Sequence, residues 1–408
     1  MAGAAHSHVA SPAALKRKRR FDLPSEMQEI KILANQKQNS YKIIVGRDIL
    51  NHSSGLIKEN LCYRAKKVAI ISNRKVFKLY GNVVEESVKK AGFEACIYLM
   101  PDGEKHKNFK TLKKVIEFLS EQRMRRTDAI VAFGGGVVGD LVGFAAAVYL
   151  RGISYFQIPT TLLAMIDSSV GGKTGIDTEF GKNLVGAFYQ PKGVLVDISV
   201  LKTLPRRELT SGFCEAIKQG ALAGGELFNL TAHFLKDFPV KNFRQSFSNE
   251  EFLRLLEKLI ARQIDFKASI VSQDEAEDVD RRDSRSRKIL NFGHTIAHAI
   301  EKVTDYKLFK HGEAVGIGIL IEAEISKSVA NFPEDELQLL SDIIGLAGKL
   351  PACHNLDSSK ILQAISFDKK NINDGLEWAL LEKIGKPVIL EGIPQKTLEE
   401  SIKKFLKR

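Results

Sequence analysis

Apolar positions along this chain follow two different periods, and the change from one to the other falls near residue 204. From about residue 28 the apolar runs are short and rich in β-branched residues. EIKILANQ (29–36) and SYKIIVG (40–46) alternate in the manner of the two strands of a hairpin. KKVAIISN (66–73) is an unbroken apolar run bounded by charge and asparagine, which predicts a strand buried on both faces, as in a parallel sheet. Helical spacing follows over 74–91. ACIYLM (95–100) reads as a strand, PDGEKHK (101–107) as a loop, 108–122 as a helix, and DAIVAFGGG (128–136) as a strand running into glycine. Strands alternating with helices predict a doubly wound α/β sheet. Beyond 204 the spacing becomes helical over 206–233, 249–272, 290–303, 312–330 and 334–349. A proline can open a helix, so the boundary is placed at Leu204-Pro205. The expected organisation is an α/β domain over 27–204 and a mostly α-helical domain over 205–408, with no internal repeat. Residues 1–26 are Ala/Ser-rich, contain the basic run 16–20, and read as a disordered basic tail. The nearly all-charged segment 273–288 reads as a solvated loop.

Composition narrows the class without choosing a function. No apolar run reaches about 18 residues, so no transmembrane helix is expected. The basic run near the N-terminus leads into mixed polar sequence, unlike a secretory signal. Cys62, Cys96, Cys214 and Cys353 are scattered without a C-x-x-C pair and read as reduced thiols, which places the protein in the cytoplasm. The net charge of +12 favours anionic partners, whether nucleic acid, acidic membrane, or phosphorylated and carboxylated metabolites, without choosing among them.

Three stretches carry candidate chemistry. In AFGGGVVGDLVGFAAAVYLRG (132–152) an apolar strand enters three glycines and a helix leaves them. Gly135, Gly136 and Gly139 let backbone approach a ligand closely, and the helix start offers free N–H groups to a pyrophosphate. The spacing is not the usual G-x-G-x-x-G, so a tight turn without a ligand also fits, and Asp140 in the first turn can simply complement the helix dipole. The segment 159–191 gathers Thr160, Thr161, Asp167, Lys173, Lys182 and Asn183 among glycines. Lysines in that setting suit phosphate oxygens, with interleaved apolar residues arguing for packed loops. In the helical half, Glu215 and Lys218 lie three apart and His294 and His298 four apart, each pair on one helix face, while His311 opens another helix. One carboxylate with imidazoles is a normal donor set for catalytic Zn2+ or Co2+. Any one of these histidines alone fits a structural role as well, and spacing by itself nominates His294 with His298 as the ligand pair.

Together the glycine turn, D-S-S-V-G-G-K-T-G, G-K-N-x-x-G-x-F-x-Q-P and L-P-x-R-E (204–208) resemble the 3-dehydroquinate synthases over roughly residues 28–390. The resemblance implies an NAD-binding Rossmann-like domain followed by a helical metal- and substrate-binding domain. It implies conversion of a seven-carbon keto-acid phosphate into a carbocycle by transient NAD oxidation, phosphate elimination, reduction and intramolecular aldol closure, with NAD regenerated. It puts Glu215, His294 and His311 on the metal and His298 beside the substrate, in place of the His294/His298 pair. Arg151, Lys173, Asn183 and His298 are implied at the phosphate end, with Arg151 reaching in from a neighbouring subunit of a homodimer. Lys267, Arg287, Asn291 and Lys369 are implied at the carboxylate end, and Asp167, Glu215 and Lys218 at hydroxyls. For NAD it points to Asn73, Asp102, Glu104, Lys107, Gly135, Gly136, Gly139, Asp140, Thr160, Thr161, Lys173, Lys182 and Thr203. Asn73 departs from the ribose-binding acid of many dinucleotide sites.

A second departure lies between Lys267 and Arg287, where the turn is several residues longer than the family pattern and contains Arg281, Arg282 and Arg285. Arg287 is chosen because it stands four before Asn291. Two other readings stay open: a related sugar-phosphate cyclase making a valiolone or deoxy-inosose skeleton, and a basic nucleic-acid-binding protein on a degenerate enzyme fold. The second is disfavoured because aromatic residues beside the basic runs are few. The expected ligand is a small anionic sugar phosphate, with no membrane partner.

Overall fold

Val, Ile and Ala fill the central strands, and every residue of the strand Ala129–Gly134 is buried, as an apolar run without alternation requires. The structure is a computed structural model that describes residues 40–61, 63–370 and 376–407, the side chains of 367–370 excepted. The tail 1–26, the EIKILANQ segment and Cys62 lie outside the described residues. Six strands form a sheet: β1 (Lys42–Gly46), β2 (Lys67–Asn73), β3 (Glu94–Met100), β4 (Ala129–Gly134), β5 (Ser154–Pro159) and β8 (Gly193–Asp197), in the order β1-β8-β5-β4-β2-β3. All its pairings are parallel. β1 pairs in parallel with β8, and its expected hairpin partner EIKILANQ lies outside the described residues. Between β5 and β8 the Lys/Asn-rich segment folds as an antiparallel hairpin, β6 (Lys173–Thr178) and β7 (Gly181–Phe188), where loops were expected.

Helices α1 (Ser53–Asn60), α2 (Arg74–Val76), α3 (Asn82–Lys90), α4 (Phe109–Glu121) and α5 (Gly136–Val148) connect the strands. The helical half begins after Pro205 with α6 (Arg206–Ala223) and α7 (Gly225–Asp237), separated where Gly224 takes φ 64°. It continues through α8 (Glu250–Gln273), α9 (His294–Val303), α10 (His311–Ala330), α11 (Glu334–Ala347), α12 (Ser358–Lys370) and α13 (Gln395–Leu406). A second hairpin, β9 (Glu377–Lys383) and β10 (Lys386–Glu391), had no forecast. The described residues form one compact unit.

The sheet's two faces sort its side chains. Val68, Ile70, Val131 and Phe133 join the core shared with the helices after 204, whereas Ala69, Ile71, Ile130 and Ala132 pack with α4 and α5 on the other side. α6 is the axis of the helical half: all residues from Leu209 to Leu222 are buried, including Glu215 and Lys218. A helix buried all round normally carries no charge, so these two need a purpose. α10 crosses it without clearance, since a Cβ on Gly312 would sit 1.9 Å from the Ser211 carbonyl oxygen. The charged segment 273–288 is only partly a solvated loop. Asp274, Ser286 and Arg287 are buried in it, and Asp274 accepts the backbone N–H groups of Asp278 and Arg287.

Candidate active site

Three helices aim at one point. Glu215, on α6, is fully buried, and neither of its carboxylate oxygens has a hydrogen-bond donor among the described residues. Lys218 Nζ lies 2.6 Å from Oε2 but outside hydrogen-bond geometry. His294 Nε2 and His311 Nε2 each stand 3.6 Å from Glu215 Oε1. Both rings are oriented by their other nitrogen: His294 Nδ1 is 3.3 Å from the Phe292 carbonyl oxygen and His311 Nδ1 3.4 Å from Glu301 Oε2. Burial, then the nearby Lys218 charge, pushes the His294 imidazole well below its ordinary range, leaving it neutral with a free lone pair.

Lys218 lies at Oε2, but Oε1, buried without a donor and facing two imidazole nitrogens, is costly unless a further cation joins the three. Bonds of about 2.0–2.1 Å at tetrahedral angles put donor atoms roughly 3.4 Å apart, close to the spacing here, so the set fits a divalent ion. His298, which spacing paired with His294, is exposed, with its ring centroid 5.5 Å from that of His294. Glu215, His294 and His311 offer ligand atoms within 4.8 Å of one another, as do His298, Glu301 and His311. The first group is the more buried.

Two contacts from neighbouring helices hold the histidine-bearing turns. Gly293, with φ 83°, begins α9 without a side-chain cap of its own. The cap comes from α10, where Glu322 accepts the N–H groups of Gly293 at 2.6 Å and Ile296 at 3.2 Å. At the start of α10, Glu313 accepts the Lys310 N–H and two bonds from Arg207 of the L-P-x-R-E motif, fixing His311 to the root of α6.

Beside this cluster lie groups suited to anions and hydroxyls. Lys267 Nζ bonds both the Asp167 carbonyl oxygen and Oδ1 at 2.7 Å, and Gln219 reaches Oδ1 at 3.3 Å. Burial opposes ionisation of Asp167, but the Lys267 and Lys218 charges outweigh it and hold its carboxyl well below the usual range. Lys173 is half-exposed at the start of β6 and paired with Glu277 of the long loop, less packed than its glycine setting implied. Arg287 donates to the carbonyl oxygens of Gly171 and Glu275. Asn291 is exposed one turn before His294. Arg151 is exposed on a corner with φ 59° and has no ion-pair partner among the described residues. Lys369 lies on α12, its side chain outside the described set.

The predicted dinucleotide residues gather at the carboxyl ends of the strands. Chain order reverses between β2 and β4, and ligands of doubly wound sheets bind at such a reversal. Asn73 ends β2, its Oδ1 accepting the Val76 N–H and its amide 3.4 Å from Asp102. Gly135 caps α5 with no side chain. Thr160 Oγ1 is buried without a partner among the described residues, while Thr161 accepts the Ala164 N–H. Lys107 Nζ is 2.5 Å from both Asp140 Oδ2 and Asn183 Oδ1. Lys182 Nζ is 3.7 Å from Glu104 and 3.0 Å from Glu301. Thr203 shares a hydrogen bond with Tyr80 at 2.9 Å, and a Cβ on Gly139 would meet Gln157 at 2.8 Å. A glycine-started helix beside an orphaned buried hydroxyl fits a dinucleotide's phosphates and ribose.

Glu301, Glu313, Glu322 and Arg207 escaped the sequence reading as site residues. For Glu301 a signal existed: it follows His294 by seven and His298 by three, which extends their helix face.

Comparison with known proteins gives one answer. The family model for the 3-dehydroquinate synthase N-terminal region matches residues 97–211, and that for the C-terminal region matches 212–371. A 3-dehydroquinate synthase from Thermodesulfovibrio yellowstonii is 41% identical over 354 residues, 86% of this chain and 92% of that protein. One from a Nostoc species is 40% identical over 331 residues, 80% and 87% of the two chains. Among solved structures, a 2-epi-5-epi-valiolone synthase from Streptomyces hygroscopicus with NAD+ and Zn2+ bound superposes with a TM-score of 0.80 at 24% identity, over 93% of this chain and all of that one. A 2-deoxy-scyllo-inosose synthase complexed with carbaglucose-6-phosphate, NAD+ and Co2+ gives 0.75 at 25% identity, over 89% and 96%. The motifs, the fold and these matches agree: the chain belongs to the 3-dehydroquinate synthase family.

Proposed function

We propose that this chain converts 3-deoxy-D-arabino-heptulosonate 7-phosphate into 3-dehydroquinate and inorganic phosphate, a shikimate-pathway step, as a cytoplasmic homodimer using NAD and Zn2+ or Co2+. The observation that carries this reading is the convergence of Glu215, His294 and His311 beside Asp167, Lys218 and Lys267. When bound, NAD supplies a reversible two-electron acceptor and the divalent ion a Lewis acid for substrate oxygens. The residues around that convergence then do the positioning.

Glu215, His294 and His311 hold the metal. Lys218, buried and charged, donates to a substrate hydroxyl on the same side, and ionised Asp167 accepts from one. Lys173, Asn183, His298 and the partner-reaching Arg151 bind the phosphate as point charges and amide donors. Lys267, Arg287, Asn291 and Lys369 take the carboxylate. The Gly135–Asp140 turn, with Asn73, Asp102, Glu104, Lys107, Thr160, Thr161, Lys182 and Thr203, takes the dinucleotide. Among the described residues no helix is long and apolar enough to cross a membrane.

Phosphate release from the heptulosonate phosphate tests the reading. It should require NAD and stop with chelator, and no NADH should accumulate. Stoichiometric NADH production would mark a simple dehydrogenase. The likeness to the valiolone and inosose synthases favours one alternative, a cyclase making another skeleton. Product analysis with different heptulose phosphates separates the two.

A further inference from the structure

One face of α9 carries His294, the exposed His298 and then Glu301, which is 2% exposed. Its two oxygens serve different parts of the molecule. Oε2 lies 3.4 Å from His311 Nδ1 on α10, and Oε1 lies 3.0 Å from Lys182 Nζ on β7. Lys182 is itself restrained by Glu104 at 3.7 Å and by the Tyr306 ring, whose centroid is 4.7 Å away. Each oxygen therefore has its own partner, an imidazole nitrogen for Oε2 and an ammonium for Oε1.

An imidazole binds a metal through one nitrogen, and what its other nitrogen bonds decides the tautomer and the ring's aim. For His311 that partner is Glu301. With the proton held on Nδ1, the Nε2 lone pair faces Glu215 Oε1 at 3.6 Å. Without an acceptor at Nδ1, the proton can move to Nε2 or the ring can turn away. We propose that Glu301 is a positioning residue that fixes the tautomer and direction of His311 and is itself clamped by Lys182. This rests on the reading of Glu215, His294 and His311 as the metal set. It gives Glu301 a place behind the ligand and not on the metal, although its oxygens also come within 4.8 Å of ligand atoms of His298 and His311.

The experiment uses the full chain stripped of metal. Zn2+ affinity is measured by competition with a chelator, and the visible spectrum is recorded after Co2+ loading, for the wild type, E301Q, E301D and E215A. E301Q should still bind one ion per chain, with Kd raised about 10–100-fold and a Co2+ spectrum of the same ligand number. E301D, which keeps the charge, should recover part of the affinity. It also keeps the test valid should E301Q fold poorly. Wild-type affinity in E301Q overturns the proposal. Loss of stoichiometric binding in E301Q while E215A still binds puts Glu301 on the metal and overturns it too. Failure of the reading beneath it looks different: wild type and E215A would then show equal, weak binding.

Discussion

Glu322 offers a test of the site's scaffold that requires no substrate. It is fully buried on α10, and its oxygens accept backbone N–H groups at the start of α9. Burial pushes its carboxyl up to about 8 from an ordinary 4.5, although the N–H groups of Gly293, Ile296 and Thr295 pull it down. Between those two values the unfolded chain has released a proton that the folded chain keeps. The unfolded state binds fewer protons there, so stability must fall as pH rises. At about 1.4 kcal/mol per pH unit, the loss between pH 5 and 7.5 is on the order of 3 kcal/mol. Glutamine cannot ionise. It keeps an acceptor for one N–H group and gives up the other, at about 1 kcal/mol. Glu322→Gln should therefore be slightly less stable than wild type near pH 5 and more stable by about 2 kcal/mol near pH 7.5. Urea unfolding of the metal-free protein at several pH values, at constant ionic strength, measures the difference. A difference that does not change with pH would refute the argument that burial governs this carboxyl.

Gly312→Ala should cost about 1–3 kcal/mol, because its Cβ would fall 1.9 Å from the Ser211 carbonyl oxygen and α10 would have to move off α6; an unchanged Tm would show that the two helices are not in this contact. Alanine at Glu215, His294 or His311 should release the metal, whereas His298→Ala should keep it and slow turnover; metal analysis of the four variants decides, and a metal-free His298 variant beside a metal-replete His311 variant would restore the His294/His298 pair. Lys173→Ala should lower turnover at least about tenfold, the worth of a charge-assisted contact, with Tm unchanged because the side chain is half-exposed; near-normal kinetics would leave it a surface lysine paired with Glu277.

What the sequence displayed and what it hid divide along a physical line. Runs such as Val68–Ile71 and Ala129–Phe133 announce a strand because burial on both faces leaves no polar position to confuse the period. β7, GKNLVGAF, hides its alternation because glycines and site residues occupy the places where apolar side chains would mark it. The candidate metal set shows a similar division. The residue types were visible, but choosing His311 over His298 took the family resemblance, since spacing reads only one helix at a time. The convergence of Glu215, His294 and His311 depends on how three helices cross. Those crossings are set by atoms that are missing, the Cβ of Gly312 against Ser211 and that of Gly318, which would stand 1.9 Å from the Gly293 carbonyl oxygen. Glu322 sits among Ile319, Ile321, Ala323 and Ile325 on α10, where the apolar count hides it, and only the uncapped start of α9 explains a carboxylate there. A carboxylate inside an apolar helix with no cation beside it in sequence therefore points to a partner on another element, and Glu322 fits that rule.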